Sequence, residues 1–418
     1  MPASARPPDL ILPDLILLEF LLRSTVGHTV NYHAAIQRAA RQRGLSVRLF
    51  CQRSAPVDTV AVLGADPLFQ VDYRALERIE NTRVRLHTSN MALLDDLQSL
   101  EPLLSPRTTI FVQQITNYEA LGLAQWYALR PDDRRPRLVI CLRAYVERLL
   151  ETPFGVAVAA LMQFGSAVRL CTDTAQLADH FARELTRRPD VIPIPHVSHP
   201  LMLSEVPALL AAALDRIRNR ADVMVLGLYL GVVGAHKGFL QLHDIITAVR
   251  AAGLPVRFIV QARLEPHSIG DPVALEAQIR RLQADPGTDL LLIEEELGEA
   301  AYGAVLDACD ILLMPYISAA YRHNSSGIFA EAIAAGKIVI VPRDSWMGSE
   351  LTRFGAAGVA LPDITPVDIA QAVGAIVADR VGLQQRAREA VQAWTAFHNA
   401  GTLVEYLMAA GGAPSSPL

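Results

Sequence analysis

Two stretches carry residue types able to hold a phosphorylated ligand. In HNSSGIFAEAIAAGKIVIVP, from His323 to Pro342, two serines and a glycine precede a short apolar helix with one internal carboxylate, Glu331. Ser325 or Ser326 is placed to cap that helix and Gly327 lets a ligand approach the backbone, while the amides of Ile328 and Phe329 are first-turn donors without intrahelical partners. Such a helix start attracts an anion. Glu331 follows Gly327 by about one helical turn, so both can face one side, where a carboxylate would accept hydrogen bonds from a ribose diol. The plain alternative is a capped helix bearing a solvated surface charge.

The second stretch, GLYLGVVGAHKGF from Gly227 to Phe239, is a glycine-punctuated turn after a strand, with Lys237 just before a helix. It is not a Walker A loop, because Gly238 stands where that motif needs Ser or Thr for magnesium, and its glycines lack the dinucleotide-binding spacing. What remains is a turn that delivers one ammonium, a point charge suited to a diphosphate. Two independent phosphate donors in one domain imply a nucleotide.

Strand-length apolar runs alternate with helical patterns along nearly the whole chain, which is the signature of βαβ units and parallel sheets. In the first half the strand candidates are LILLEF, LSVRLF, VDTVAVL, TRVRLHT, TTIFVQQ, RLVICLR and SAVRLCT, with helices at VNYHAAIQRAARQRG and around 118–129 and 174–186. Pro189, Pro193, Pro195 and Pro200 then mark a linker. Beyond it DVMVLGLYL, PVRFIVQA, DLLLIEE, DILLMPY and KIVIVP form a second set of strands, and residues 365–410 read as helical. The fold class expected is α/β, with two doubly wound Rossmann-like domains facing across an interdomain cleft. The boundaries read as 1–195, 196–385 and a C-terminal helix and flexible tail over 386–418. Ligands of such sheets sit at the strands' carboxyl ends.

Composition narrows the partners. A net charge of −5 over 418 residues, without polybasic tracts, gives no reason to expect nucleic-acid binding. Cys51, Cys141, Cys171 and Cys309 have neither metal-ligand nor disulfide-framework spacing and read as reduced core thiols. His196 and His199 in the linker lack a third ligand for zinc, and no metal site is expected. Asp9, Pro13, Asp14 and Glu19 interrupt the first apolar run, so neither an export signal nor a membrane span fits, and a cytoplasmic location is the default.

Taken in order, the glycine turn with Lys237-Gly238, then YGAVLDACDILLMPY, then SSGIFAEAIAAGKIVIVP resemble the donor domain of GT-B glycosyltransferases of the family-4 type, over residues 222–345. The EAIAAGKIVIV segment is the most specific part, and the linker IPIPH is also similar. The resemblance implies that Lys237 contacts the donor diphosphate, that the amides of Ser325, Ser326 and Gly327 bind phosphate and that Glu331 holds the ribose. Two positions depart from the pattern. His323 stands eight residues before Glu331, where the family often has a second glutamate, and no arginine lies between Gly227 and Lys237, so Arg263 or Arg322 would have to supply that charge. The donor side expected is therefore Lys237, Arg263, Arg322, His323, Asn324, Ser325, Ser326, Gly327, Ile328 and Glu331.

In this fold the amino-terminal domain takes the acceptor. Gly27 and His28 resemble the family's glycine-bearing loop, while Gln114, Asn117 and Arg143 follow apolar strands where reactive groups belong, although helix capping explains Asn117 equally well and pairing with a local carboxylate is the commoner use of an arginine like Arg143. Lys237, His28 and Asn117 are the catalytic candidates. The expected activity is transfer of a sugar from a nucleotide-sugar, a co-substrate rather than a cofactor, to the hydroxyl of a glycan, lipid-linked or small-molecule acceptor. Retention follows from the resemblance, and catalysis without a metal from the missing acidic motif. Peripheral membrane contact stays open. The alternatives are a nucleotide-sugar epimerase or sugar-phosphate transferase of the same fold, and a non-catalytic two-lobed nucleotide-sugar or carbohydrate binder.

Overall fold

A computed structural model of the protein describes residues 12–22, 28–195, 205–220, 222–265 and 268–409. Its strands form two wholly parallel sheets. The first contains β1 (Leu15–Leu18), β2 (Val47–Gln52), β3 (Asp66–Phe69), β4 (Thr109–Val112), β5 (Arg137–Cys141), β6 (Val168–Thr172) and β7 (Asp190–Val191), in the order β3-β2-β1-β4-β5-β6-β7. The second contains β8 (Met224–Tyr229), β9 (Val256–Gln261), β10 (Leu290–Ile293), β11 (Ile311–Leu313), β12 (Ile338–Pro342) and β13 (Gly358–Leu361), in the order β10-β9-β8-β11-β12-β13. Both orders reverse direction once, between β1 and β4 and between β8 and β11. Chain crossovers diverge there, leaving a crevice beyond the strand ends. The central strands are buried along their length, as LILL in β1 and MVLGLY in β8, because helices cover both faces of each sheet.

The chain divides into two compact units, Met1–His196 with Asn399–Leu418, and Val197–His398. The helices Pro366–Ala378 and Arg380–Phe397 belong to the second unit, and Ala400–Met408 belongs to the first. That last helix is held by Arg43 to Glu405 (2.7 Å), by Arg169 to the Tyr406 carbonyl oxygen (2.8 Å) and by the Tyr406 hydroxyl to Asp190 (2.8 Å).

Two expected strands are helices. VDTVAVL forms the helix Val57–Leu63, which follows Pro56 and buries Thr59 and Leu63, four residues apart, so helical spacing overrides its β-branched composition. TRVRLHT opens the helix Thr82–Gln98, because the Asn81 side chain accepts hydrogen bonds from the Arg83 and Val84 amides and starts a helix whose apolar face appears only from residue 89 onward. The strand between them is instead β3, DPLF, which tolerates Pro67 because it lies at the sheet edge. The edge strand β13 is likewise additional to the strands read from sequence. All four cysteines are buried and free.

In the second unit the helix Gly327–Ala334 is clamped from behind. Phe329 packs edge-on against Trp346 and Trp394, with ring centroids 5.4 and 5.8 Å away, and all three side chains are buried. Phe329→Ala would empty this contact and is expected to destabilise the unit by about 3–5 kcal/mol, measured by chemical unfolding followed by tryptophan fluorescence. A loss below about 1 kcal/mol would show that the aromatic cluster does not hold the helix.

Candidate functional site

The switch between β8 and β11 gathers the residues singled out on the donor side. The turn after β8 runs through Gly231 and Gly234 into a single 3-10 turn, Ala235–Lys237, closed by Gly238 with φ +75°. A side chain at 238 would collide with the Pro315 carbonyl oxygen, so only glycine allows the turn to lie against the exit of β11. Gly231, with φ +113°, makes the second close approach, since a Cβ there would stand 3.3 Å from Ile328 Cδ1 in the first turn of the helix Gly327–Ala334. Its amide donates to Gln261 Oε1 at the end of β9 (2.7 Å). Farther along, the Ile317 amide donates to the His236 carbonyl oxygen (3.0 Å), and the His236 ring lies parallel to that of Tyr321, 6.2 Å away.

Ser326 is the helix N-cap, and its hydroxyl accepts from the Phe329 amide (3.3 Å). This corrects the expected donor set. Phe329 is satisfied by the cap, and the amides left without a partner among the described residues are those of Gly327 and Ile328. Lys237 is half-buried, and its ammonium meets no partner among the described residues. Burial without a facing carboxylate pulls its pKa below the ordinary lysine value. Arg322 is exposed and also unpaired among the described residues, whereas Arg263 is engaged by Glu296 (2.9 Å) and Glu265 (3.2 Å). Arg263 sits beside the glycine turn, bridged to Val232, but its charge is already balanced. Asn324 is exposed and donates to the Ala320 carbonyl oxygen (2.9 Å), and His323 and Ser325 are half-buried. Glu331 is half-buried rather than a solvated charge, and the Tyr302 hydroxyl donates to its Oε2 at 2.6 Å.

At the carboxyl edge of the first sheet lies a polar network that sequence reasoning largely missed. Glu19 follows β1 and is 4% exposed; its Oε1 accepts from the Leu21 amide (2.6 Å) and its Oε2 lies 2.8 Å from Nε2 of the fully buried His33. The neighbours of Gln113, after β4, assign its amide with the nitrogen toward Glu19 Oε2 (3.2 Å) and His33 Nε2 (2.7 Å) and the oxygen toward Arg143 Nη1 (3.2 Å), the orientation that satisfies both ends. Arg143, after β5, lies over the Tyr32 ring (4.6 Å) and 3.8 Å from Asp173 after β6, an ion-pair distance too long for a hydrogen bond. Four adjacent strand ends thus present linked donors and acceptors. The available signal was a polar residue ending each apolar run, in LILLE, FVQ and CTD.

Of the other residues expected there, Gln114 is half-buried and without a partner among the described residues. The Asn117 side-chain oxygen accepts from the Phe154 amide (3.1 Å), bracing the start of the helix Pro153–Met162, so only its NH2 is left to meet a substrate. Gly27 lies outside the described residues, as do His196 and His199, and His28 opens the helix His28–Gln42. Among the described residues no cluster of three or more His, Cys, Asp or Glu could hold a metal, and no helix is long and apolar enough to cross a membrane.

No family model matches the sequence, and no curated protein matches it. Solved structures do match. HepE from Anabaena, in complex with UDP and glucose, aligns over 94% of this chain and 97% of its own with a TM-score of 0.62 and 15% identity. The chain has the GT-B fold. Two further matching structures are a glycosyltransferase from Rickettsia africae (TM-score 0.65, 10% identity, 94% of this chain and 95% of that one) and sucrose-phosphate synthase from Thermosynechococcus elongatus (0.62, 13%, 93% and 96%).

Close to the first-sheet edge, Glu119 is buried with Oε2 accepting from the Thr116 amide (2.8 Å) and hydroxyl (2.7 Å), while Oε1 has no partner among the described residues. Burial pushes its pKa up to about 8, from an ordinary 4.5. The folded state therefore holds this proton more tightly than the unfolded state. The stability this contributes is complete below pH 4.5 and is lost as pH rises through about 8. Glu119→Gln keeps the shape without the titration. Its unfolding free energy should match the wild type's below pH 4.5, exceed it increasingly up to about pH 8 at a slope of up to about 1.4 kcal/mol per pH unit, and exceed it by a constant amount above that. Parallel pH profiles would refute the assignment.

Proposed function

We propose that this GT-B chain is a retaining, metal-independent glycosyltransferase of the family-4 type, taking a sugar from a nucleotide-sugar donor. The observation that carries the reading is a half-buried Lys237 and, on the segment that the same turn touches through Gly231 and Gly238, a helix start with the Gly327 and Ile328 amides open, all three groups without a partner among the described residues. A cation desolvated without a counter-charge and a helix start with open donors are complementary to a diphosphate. The UDP, glucose and UDP-glucose held by HepE structures support a nucleotide-sugar as that ligand, and Glu331 would hold its ribose.

In the transfer, the bond between the anomeric carbon and the diphosphate oxygen breaks as the acceptor hydroxyl oxygen bonds to that carbon. Its proton passes to the departing phosphate. Lys237, Arg322 and the helix amides stabilise charge growing on the leaving diphosphate, which is where electrostatic catalysis acts. Arg263 acts as a structural cation beside the turn, since two glutamates already balance it. His323, Asn324 and Ser325 border the donor sugar. The sugar transferred is a hexosyl or related group, and on the acceptor side Gly27, His28, Gln114, Asn117 and Arg143 would orient a hydroxyl of a glycan, lipid-linked or small-molecule acceptor in a cytoplasmic setting. His323, at the position of the missing acid, favours one rival reading, a binder without turnover.

Lys237→Ala is expected to weaken nucleotide-sugar binding about tenfold and slow transfer roughly a hundredfold. Calorimetry over a panel of UDP-, GDP- and ADP-sugars, with radiolabelled donor for product analysis, measures both. Unchanged affinity and rate in Lys237→Ala and Glu331→Ala would sink the proposal, and binding without transfer to any acceptor would select the non-catalytic reading.

A further inference from the structure

Between Tyr229, where β8 ends, and Lys237 the chain has left its ladder with β9, apart from the single bridge Val232↔Arg263. In that interval two buried side chains grip the turn at adjacent residues. The Gly231 amide donates to Gln261 Oε1 (2.7 Å), and the Val232 carbonyl oxygen accepts from the Tyr229 hydroxyl (2.6 Å). Each grip is tied further out. The Gln261 NH2 donates to the Glu295 carbonyl oxygen beyond β10 (3.4 Å), and the Tyr229 ring meets that of Phe239 edge-on, with centroids 5.2 Å apart, just past Lys237 and Gly238. Methionine at 261 or phenylalanine at 229 would fill much the same space without the hydrogen bond, so packing alone does not call for either polar group. Glycine at 231 permits a φ of +113° but does not enforce it. The grips supply that restraint where the turn passes Ile328, in the first turn of the helix Gly327–Ala334.

We propose that Gln261 and Tyr229 are positioning residues that fix the course of the glycine turn, so that Lys237 meets the donor diphosphate without reorganising. This rests on the diphosphate role proposed for Lys237. Neither side chain touches the ligand; each acts through the backbone of the turn, and affinity rises because the ordering is complete before the nucleotide arrives.

The test is a pair of double-mutant cycles on the full chain. The wild type is titrated by calorimetry with UDP, GDP and ADP, and the tightest binder becomes the probe. Gln261→Met and Tyr229→Phe are then measured alone and combined with Lys237→Ala, with the ligand-free melting temperature of each variant recorded alongside. Either substitution alone should weaken the probe about fivefold, as loss of one neutral hydrogen bond would. In the Lys237→Ala background the same substitution should cost nothing further, because the ammonium through which it acts is gone. Each residue is judged by its own cycle, so a variant that fails to fold leaves the other to decide. Equal losses in both backgrounds, or no loss alone, overturn the positioning role while the diphosphate role of Lys237 stands. If Lys237→Ala binds the probe as tightly as the wild type, or no nucleotide binds the wild type, both fall.

Discussion

Close backbone approach at two glycines is the constraint on which the second unit's site depends. Gly238 lies against the Pro315 carbonyl, where any side chain would collide, and Gly231, at φ +113°, takes a backbone conformation that side chains rarely adopt next to Ile328, so the turn leaving β8 can follow the segment leaving β11 closely. The strand order brings these two strand ends side by side. The glycines then bring their continuations into contact, one carrying Lys237 and the other the start of the helix Gly327–Ala334. The desolvation of Lys237 is a by-product of the same packing. A cation in open water would gain little from a phosphate, whereas one already stripped of part of its hydration gains more.

The first unit solves the equivalent place in its sheet differently. Its strand ends carry Glu19, Gln113, Arg143 and Asp173, linked laterally and held by His33 from the following helix. Opposite charges are interleaved, so the edge is polar without a strong net field. Groups of this kind suit hydroxyl-rich partners, each hydroxyl both giving and accepting a hydrogen bond, more than they suit a polyanion.

The fold class was legible because parallel strands covered on both faces must be continuously apolar, and such runs stand out between helical stretches. The glycine turn and the serine-glycine helix start were legible for a similar reason, since glycine, serine and lysine at fixed offsets from a strand have few other uses. Legibility failed where local pattern and tertiary demand disagree. The β-branched residues of VDTVAVL and the alternation in TRVRLHT mimic strands, and only Asn81 hinted at a helix start in the second. Contacts between distant residues were closed to inspection. His33 reaches Glu19 across 14 residues and Tyr302 reaches Glu331 across 29, through crossovers whose geometry no short window contains. The same holds in part for Arg263, whose charge looks available until Glu296 from another segment joins Glu265, two residues on, beside it.

The return of Ala400–Met408 to the first unit makes that unit discontinuous in sequence, with the whole second unit inserted in it. On the ribosome the second unit emerges complete while the first still waits for its final helix. Until then Arg169 and Asp190 at the edge of the first sheet lack the Tyr406 contacts that occupy them in the finished protein. Vectorial synthesis therefore inverts the usual sequence of events, and the domain that begins the chain is the last to be finished.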